Sequence, residues 1–293
     1  MATASQKTER APKRPAPIND PLDVTIIRPR SSFKLIDIKE LRQYRDLFYF
    51  LVLREIKVRY KQTVLGGLWA ILQPLLSMIV FSLFFGRLAQ IPSDGVPYPI
   101  FSFAALVPWI YFSNALSYSS NSLIANQAFI NKVYFPRVAI PAAPIIGWLL
   151  DFVIAMAVLF IMMVAYGIAP TPLIALLPLL VLIMIFAASG AGIWLAALNV
   201  HYRDFRYVVP FMIQLWMFIS PVVYPVSLVP EKWRFLYAFN PMAGVIEGFR
   251  SALLGTIDFP WTLVGASTLT SVLILLSGLF YFKKTERFFA DIA

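Results

Sequence analysis

The side chains able to do chemistry are few in this chain, and most stand alone. There is one histidine, His201, beside Arg203 and Asp204, and no cysteine among the 293 residues. A lone imidazole without clustered acids does not make a metal site, and without thiols there is no thiolate ligand, sulfur nucleophile or disulfide framework. None of the 13 glycines is followed by lysine. The phosphate-cradling G-x-x-x-x-G-K-[ST] loop is therefore absent, and any nucleotide hydrolysis must come from another polypeptide. Three ionisable positions remain. Asp151 is the only acid well inside an apolar stretch, where a carboxylate costs about 2.5–3.5 kcal/mol on insertion scales. It reads equally as a functional group or as a structural acid held between helices, and no partner for it can be named within the apolar stretches. Glu247 and Arg250 stand three apart at helical spacing, placed to pair with each other or between chains.

A second chemical feature is cationic. Residues 54–74 read REIKVRYKQTVLGGLWAILQP. Leu53, Ile56, Tyr60 and Val64 recur at helical spacing, while Arg54, Lys57 and Lys61 fall on another face with Glu55 and Arg59 beside them. Such a segment is expected to lie along a membrane surface, apolar side in the acyl boundary and cations toward anionic headgroups. It leads through Gly66-Gly67 into a crossing.

The elements that must position these residues are apolar helices. The chain is 59% hydrophobic and only 14% charged, against about 45–50% apolar residues in soluble domains, and its mean hydropathy is +0.74. This composition is that of an all-α integral membrane protein. Apolar continuity predicts six spans, near 66–86, 98–120, 138–166, 171–198, 208–228 and 260–282. With the amino terminus inside, 21 of the 25 Lys and Arg fall on cytoplasmic segments, which places both termini in the cytoplasm. Residues 1–66 carry 14 Lys/Arg and 7 Asp/Glu. That local excess fits attraction to an anionic leaflet better than nucleic-acid readout, for which no motif is present. Residues 1–37 read as a Pro-rich, disordered tail without a signal peptide, 38–65 as the interface helix, 66–285 as the six-span transmembrane domain and 286–293 as a cytoplasmic end.

Between the last two spans, residues 221–259 are too polar and too often broken by proline to cross, yet too apolar for an exposed loop. Phe235, Leu236 and Phe239 pattern one short helix. After Asn240-Pro241 a second carries Met242, Val245, Ile246, Phe249 and Leu253 on one side with Glu247 and Arg250. Two half-helices over about 225–257 that enter the outer face and return fit this pattern. On the cytoplasmic side, NQAFINKVYFPR (126–137) displays Phe129, Val133, Tyr134 and Phe135 between Lys132 and Arg137, the composition of a docking surface for a soluble partner; NVHYRDFRY (199–207) admits either docking or interfacial anchoring. Trp109, Tyr111 and Phe112 in the second span, and Trp216, Phe218 and Tyr224 in or beside the fifth, offer flat faces suited to sugar rings. Packing is the plainer reading of those rings.

In order along the chain, RYKQTVLGGLWAILQP (59–74), FINKVYFPR (129–137), NVHYRDFRYVVP (199–210), SPVVYP (220–225) and FNPMAGVIEGFRSALLG (239–255) resemble the membrane permease of type-2 ABC transporters that export O-antigen, capsule or teichoic acid chains. The resemblance covers about residues 38–285. It implies a homodimer of six-span permeases in the bacterial inner membrane, with two copies of an ABC ATPase that hold ATP and Mg; this chain would bind no cofactor and catalyse no reaction itself. By the same resemblance the ATPase-coupling residues are Arg54, Lys57 and Arg59 on the interface helix, and Phe129, Lys132, Tyr134, Phe135 and Arg137 at the coupling helix (about 126–135). The first and fifth spans would line the route of a lipid-linked polysaccharide, and the half-helices would close its outer end. Two other classes remain. A membrane enzyme on lipid-linked sugars needs clustered acids or a His/acid metal site, and an ion-coupled transporter needs repeated halves with several buried ionisable groups. Neither pattern is present.

Overall fold

A computed structural model describes residues 42–61, 66–130, 135–202, 204–255 and 257–286. The Pro-rich tail, the start of the expected interface helix, Val64, Lys132, Val133, Tyr134, Arg203, the side chain of Phe235 and the last residues of the chain lie outside these. Among the described residues the structure is all helical.

Helix α1 (Arg45–Tyr60) opens with Asp46 and closes with Lys57 and Arg59, charges that complement its dipole at each end. A single-turn helix precedes α2 (Trp69–Phe81), which widens into a π-helical stretch at Ser82–Leu88. Pro97 launches α3 (Tyr98–Ala125), and a short turn follows as α4 (Gln127–Ile130). The next crossing is kinked at Trp148 into α5 (Ala139–Gly147) and α6 (Leu149–Ala165). A 3-10 lead-in at Pro172–Leu176 feeds α7 (Leu177–His201), followed by α8 (Phe205–Ile219). Two helices, α9 (Glu231–Tyr237) and α10 (Pro241–Leu254), then meet across Asn240 before α11 (Trp261–Thr285).

Among the described residues, five helical runs are long and apolar enough to cross a membrane: Gly66–Leu88, Tyr98–Ala125, Ala139–Ala165, Pro172–His201 and Trp261–Thr285. The expected crossing at 208–228 is not one helix. Helicity stops at Ile219, and 15 residues rise only about 22 Å at 1.5 Å each, short of the roughly 30 Å hydrocarbon core. The cause is local: Ser220 precedes Pro221, which disfavours the α region, and Ser220 is extended at φ −91°, ψ 151°.

Helix α3 is the axis of the bundle. Most of its residues are buried, and the main core gathers Phe103, Phe112, Leu116, Leu159, Met184 and Phe249 around it. A second, smaller core joins α1, α3, α5, α7 and α11 at the end where α1 lies, through Leu51, Leu123, Ile140, Ile193, Leu279 and Phe282. By contrast α2 and α8 sit at the edges, with Leu76, Ile79 and Val80 on the first and Phe211, Met212, Leu215 and Phe218 on the second exposed. In water such faces would be untenable; beside lipid or another subunit they are not.

Candidate functional site

Two polar clusters stand out within the apolar bundle. The first forms where the chain breaks after α8. Helix α10 is buried along its whole length, and its Glu247 and Arg250 are 1% and 0% exposed. Arg250 Nη1 donates to Glu247 Oε1 at 3.0 Å. The same guanidinium donates to three carbonyls: Val222 at 2.8 Å, Tyr224 at 3.3 Å and Phe101 at 3.4 Å. Its plane lies over the Phe101 ring at 3.6 Å. Glu247 Oε1 also accepts the Val226 amide at 3.1 Å. The irregular segment 220–226 cannot satisfy its own backbone by helix bonding, so the buried ion pair does so, which is what non-helical backbone among apolar helices requires. Of the two pairings that the sequence leaves open for Glu247 and Arg250, the structure makes the one within a single chain.

Around this pair the break is closed by amides and hydroxyls. Asn240 caps α10, accepting the Met242 amide at 3.0 Å, and its carboxamide also accepts from Trp216 Nε1 at 3.0 Å and donates to Ser220 Oγ at 2.9 Å. The Asn-Pro step that opens α10 is a readable cap with proline at the first helical position. Ser267 of α11 accepts the Gly244 amide at 2.9 Å and donates to the Asn240 carbonyl at 3.1 Å. Tyr98 donates to the Val223 carbonyl at 2.7 Å, and the Tyr224 and Tyr237 hydroxyls bond to each other.

The second cluster joins α1 to α6. Asp151 does have a partner, and it comes from outside the crossings: Arg59 Nη1 donates to Asp151 Oδ2 at 2.7 Å, and the Tyr60 hydroxyl donates to Oδ1. The Arg59 guanidinium stacks on Trp148 at 3.5 Å. Burial lowers its pKa from the ordinary value, and the charge and hydrogen bond of Asp151 oppose that shift. One turn earlier, Arg54 Nη2 donates to Asn126 Oδ1 at 2.6 Å, tying α1 to the end of α3.

The other expected site residues are dispersed. Trp109, Tyr111 and Phe112 are packed inside the bundle, at 3%, 2% and 0% exposure, where a sugar would reach them only if the bundle opened. Tyr111 donates to the Ile145 carbonyl near the α5–α6 kink, and Phe112 meets Trp216 edge to face. Phe218 is about half exposed on α8; Trp216 and Tyr224 are partly covered. Phe135, expected on display, is instead buried in the smaller core against Phe129, because the ends of three crossings surround it. Arg137 donates to the Glu286 carbonyl at 2.7 Å. Lys57 is exposed, Arg54 is half-buried and Arg59 points inward, so the three α1 cations face different surroundings. Asn240 and Asn126 carry hydrogen bonds, and Trp148 a stacked guanidinium, that no charge pattern would single out.

Comparison with known proteins adds a lineage to this geometry. Residues 46–254 match the ABC-2 type transporter family. The O-antigen export system permease protein RfbA of Myxococcus xanthus is 33% identical over 217 residues, covering 73% of this chain and 82% of that protein. RfbA of Klebsiella pneumoniae is 29% identical, covering 84% and 95%. The polysialic acid transport protein KpsM of Escherichia coli is 27% identical, covering 70% and 80%.

Proposed function

The chain belongs to the ABC-2 type transporter family, and from that premise we propose that it is the membrane permease of an ATP-driven exporter moving a lipid-linked polysaccharide out of the cytoplasm. The observation that carries this reading is that relatives matching most of the chain are named for O-antigen export, with others named for polysialic acid and capsule polysaccharide. O-antigen is the first reading of the substrate, and capsular or teichoic acid chains are the alternatives under the same mechanism. ATP and Mg are held by a separate ATPase subunit.

In this reading the protomer crosses six times, α8 completing its passage through the irregular segment 220–226, and both termini face the cytoplasm of a bacterial inner membrane. Helices α9 and α10 enter the outer face and return. Two protomers meet so that the exposed sides of α2 and α8 border the route, with Trp216, Phe218 and Tyr224 as ring surfaces for the polymer. The exposed apolar faces of those two edge helices support this placement. Helix α1 and the 126–137 segment receive the ATPase, so that nucleotide-driven closure below moves the ends of α3 and α5.

The test is a strain lacking this gene. Polymer should accumulate inside the cell on its lipid carrier and disappear from the surface, and the full-length chain should restore export and co-purify with an ABC ATPase. Normal surface polysaccharide in the deletion strain would overturn the proposal.

A further inference from the structure

A cavity of about 170 Å³ opens between the end of α1 and the α2, α3 and α6 helices, walled by Arg59, Tyr60, Trp69, Gln73, Trp148 and Asp151 among others. Its polar inventory is unbalanced. Arg59 Nη1 and the Tyr60 hydroxyl both donate to Asp151, the one carboxylate in the wall. Arg59 Nε and Nη2, together with the indole N–H of Trp148, are buried with no hydrogen-bond acceptor among the described residues. Buried donors of this kind are nearly always satisfied, by protein, water or a ligand. Arg59 Nε and Nη2 lie along one edge of the guanidinium plane, the edge that matches two oxygens of a phosphate in a bidentate pair. Stacking on Trp148 at 3.5 Å fixes that plane.

The level of the cavity narrows the ligand. Asp151 lies 14 residues before Ala165, the far end of its crossing. At 1.5 Å per residue that is about 21 Å, so Asp151 sits within about 9 Å of the near edge of a 30 Å hydrocarbon core. Gly66, where the first crossing begins, is also in the wall, and Trp69 is about half exposed beside it. This is the depth at which interfacial tryptophans and lipid headgroups meet.

We propose that this cavity seats the phosphate group of a membrane lipid, its oxygens accepting from Arg59 Nε, Arg59 Nη2 and Trp148 Nε1. Because Asp151 offsets the Arg59 charge, the seat selects by hydrogen-bond geometry rather than by net charge. The assignment requires no particular exported polymer.

The experiment uses the full chain, delipidated in detergent and followed by native mass spectrometry. Three probes are titrated: short-chain phosphatidylglycerol, a diacylglycerol with the same acyl chains but no phosphate, and inorganic phosphate. Phosphatidylglycerol should bind once per protomer in preference to diacylglycerol. Trp148→Phe keeps the ring over Arg59 and removes the N–H; Arg59→Lys keeps the charge and removes the planar edge. Each should weaken that binding by about tenfold, while Arg45→Lys, on the exposed start of α1, should not. Inorganic phosphate binding alone with the same sensitivity to both variants would support the seat and assign a free anion as its source; failure of phosphate to compete with bound phosphatidylglycerol would support a lipid source. Equal retention of phosphatidylglycerol and diacylglycerol, or native-like binding by both variants, would overturn the proposal and leave the cavity to water. If Arg59→Lys does not run as a monodisperse species on gel filtration, Trp148→Phe carries the test.

Discussion

Gly190 of α7 and Gly278 of α11 touch backbone to backbone: a Cβ on Gly278 would be driven into the Gly190 carbonyl oxygen, and one on Gly190 would stand 2.5 Å from the Leu275 amide nitrogen. Small residues let two apolar helices approach this closely where burial from water supplies no drive. Gly278→Ala should therefore cost about 1–3 kcal/mol, since backbone and not a flexible side chain must yield. Gly265→Ala on the same helix meets nothing within 4 Å and, by replacing a glycine inside a helix, should leave stability unchanged or raise it by up to about 1 kcal/mol. Thermal unfolding of the two variants in one detergent decides; equal midpoints would contradict the close approach.

Arg250 serves more carbonyls than carboxylates, and this sets a second expectation. Arg250→Met should destabilise the chain by about 3–5 kcal/mol, because it strands both Glu247 and the carbonyls of the broken segment. Glu247→Gln should cost less, since its amide oxygen can still accept from Arg250 and from the Val226 amide. Exchanging the two, Glu247→Arg with Arg250→Glu, should give no rescue, because a glutamate at 250 cannot donate to the Val222 and Tyr224 carbonyls. Recovery of export or of thermal stability in the exchanged variant would show that the pair acts through charge alone.

Asp151 and Arg59 should behave as a coupled pair. Asp151→Ala leaves a mostly buried guanidinium without its carboxylate and should cost about 1–3 kcal/mol. Adding Arg59→Met to that variant should cost little more than the first change. A double-mutant cycle on unfolding midpoints reads the coupling directly, and strict additivity would mean that the two groups do not interact.

Aromatic residues separate into packing and passage by one comparison. Trp109→Ala removes a buried ring and should cost about 3–5 kcal/mol. Phe218→Ala, at a half-exposed position, should leave unfolding nearly unchanged while slowing export, with Phe218→Leu testing ring against bulk. Export at the native rate from both Phe218 variants would remove that residue from the route.

Much of this arrangement is visible in one dimension. Five long apolar runs appear where continuous hydropathy places them, and the break between α9 and α10 falls at Asn240-Pro241, where an amide cap and a missing N–H coincide. The end of α8 at Ile219 is harder to read, because apolar residues continue through Pro221, Val222 and Val223 while the backbone leaves the helix. Hydropathy reports burial, and those residues are indeed buried, but on an irregular chain. Asp151 is conspicuous as an acid among apolar neighbours, whereas its partner stands 92 residues earlier on a helix whose cations read as surface charge. Phe135 misleads for a related reason: a ring in a short basic loop looks displayed, and only the convergence of α3, α5 and α11 shows that it is covered.

The smaller core has a consequence for the order in which the molecule is made. Its members run from Leu51 to Phe282, and Arg137 is fastened to the carbonyl of Glu286. Synthesis proceeds from the amino end at about 5–20 residues per second, so α1 and the 126–137 segment exist for many seconds before the residues that complete their packing. A chain arrested within α11 would have its first four long crossings in hand, with α1 already seated on α5, and yet lack the α11 side of the smaller core. Of the surface proposed to receive the ATPase, the part held by Arg137 and Glu286 is thus finished last, long after α1 has met α5.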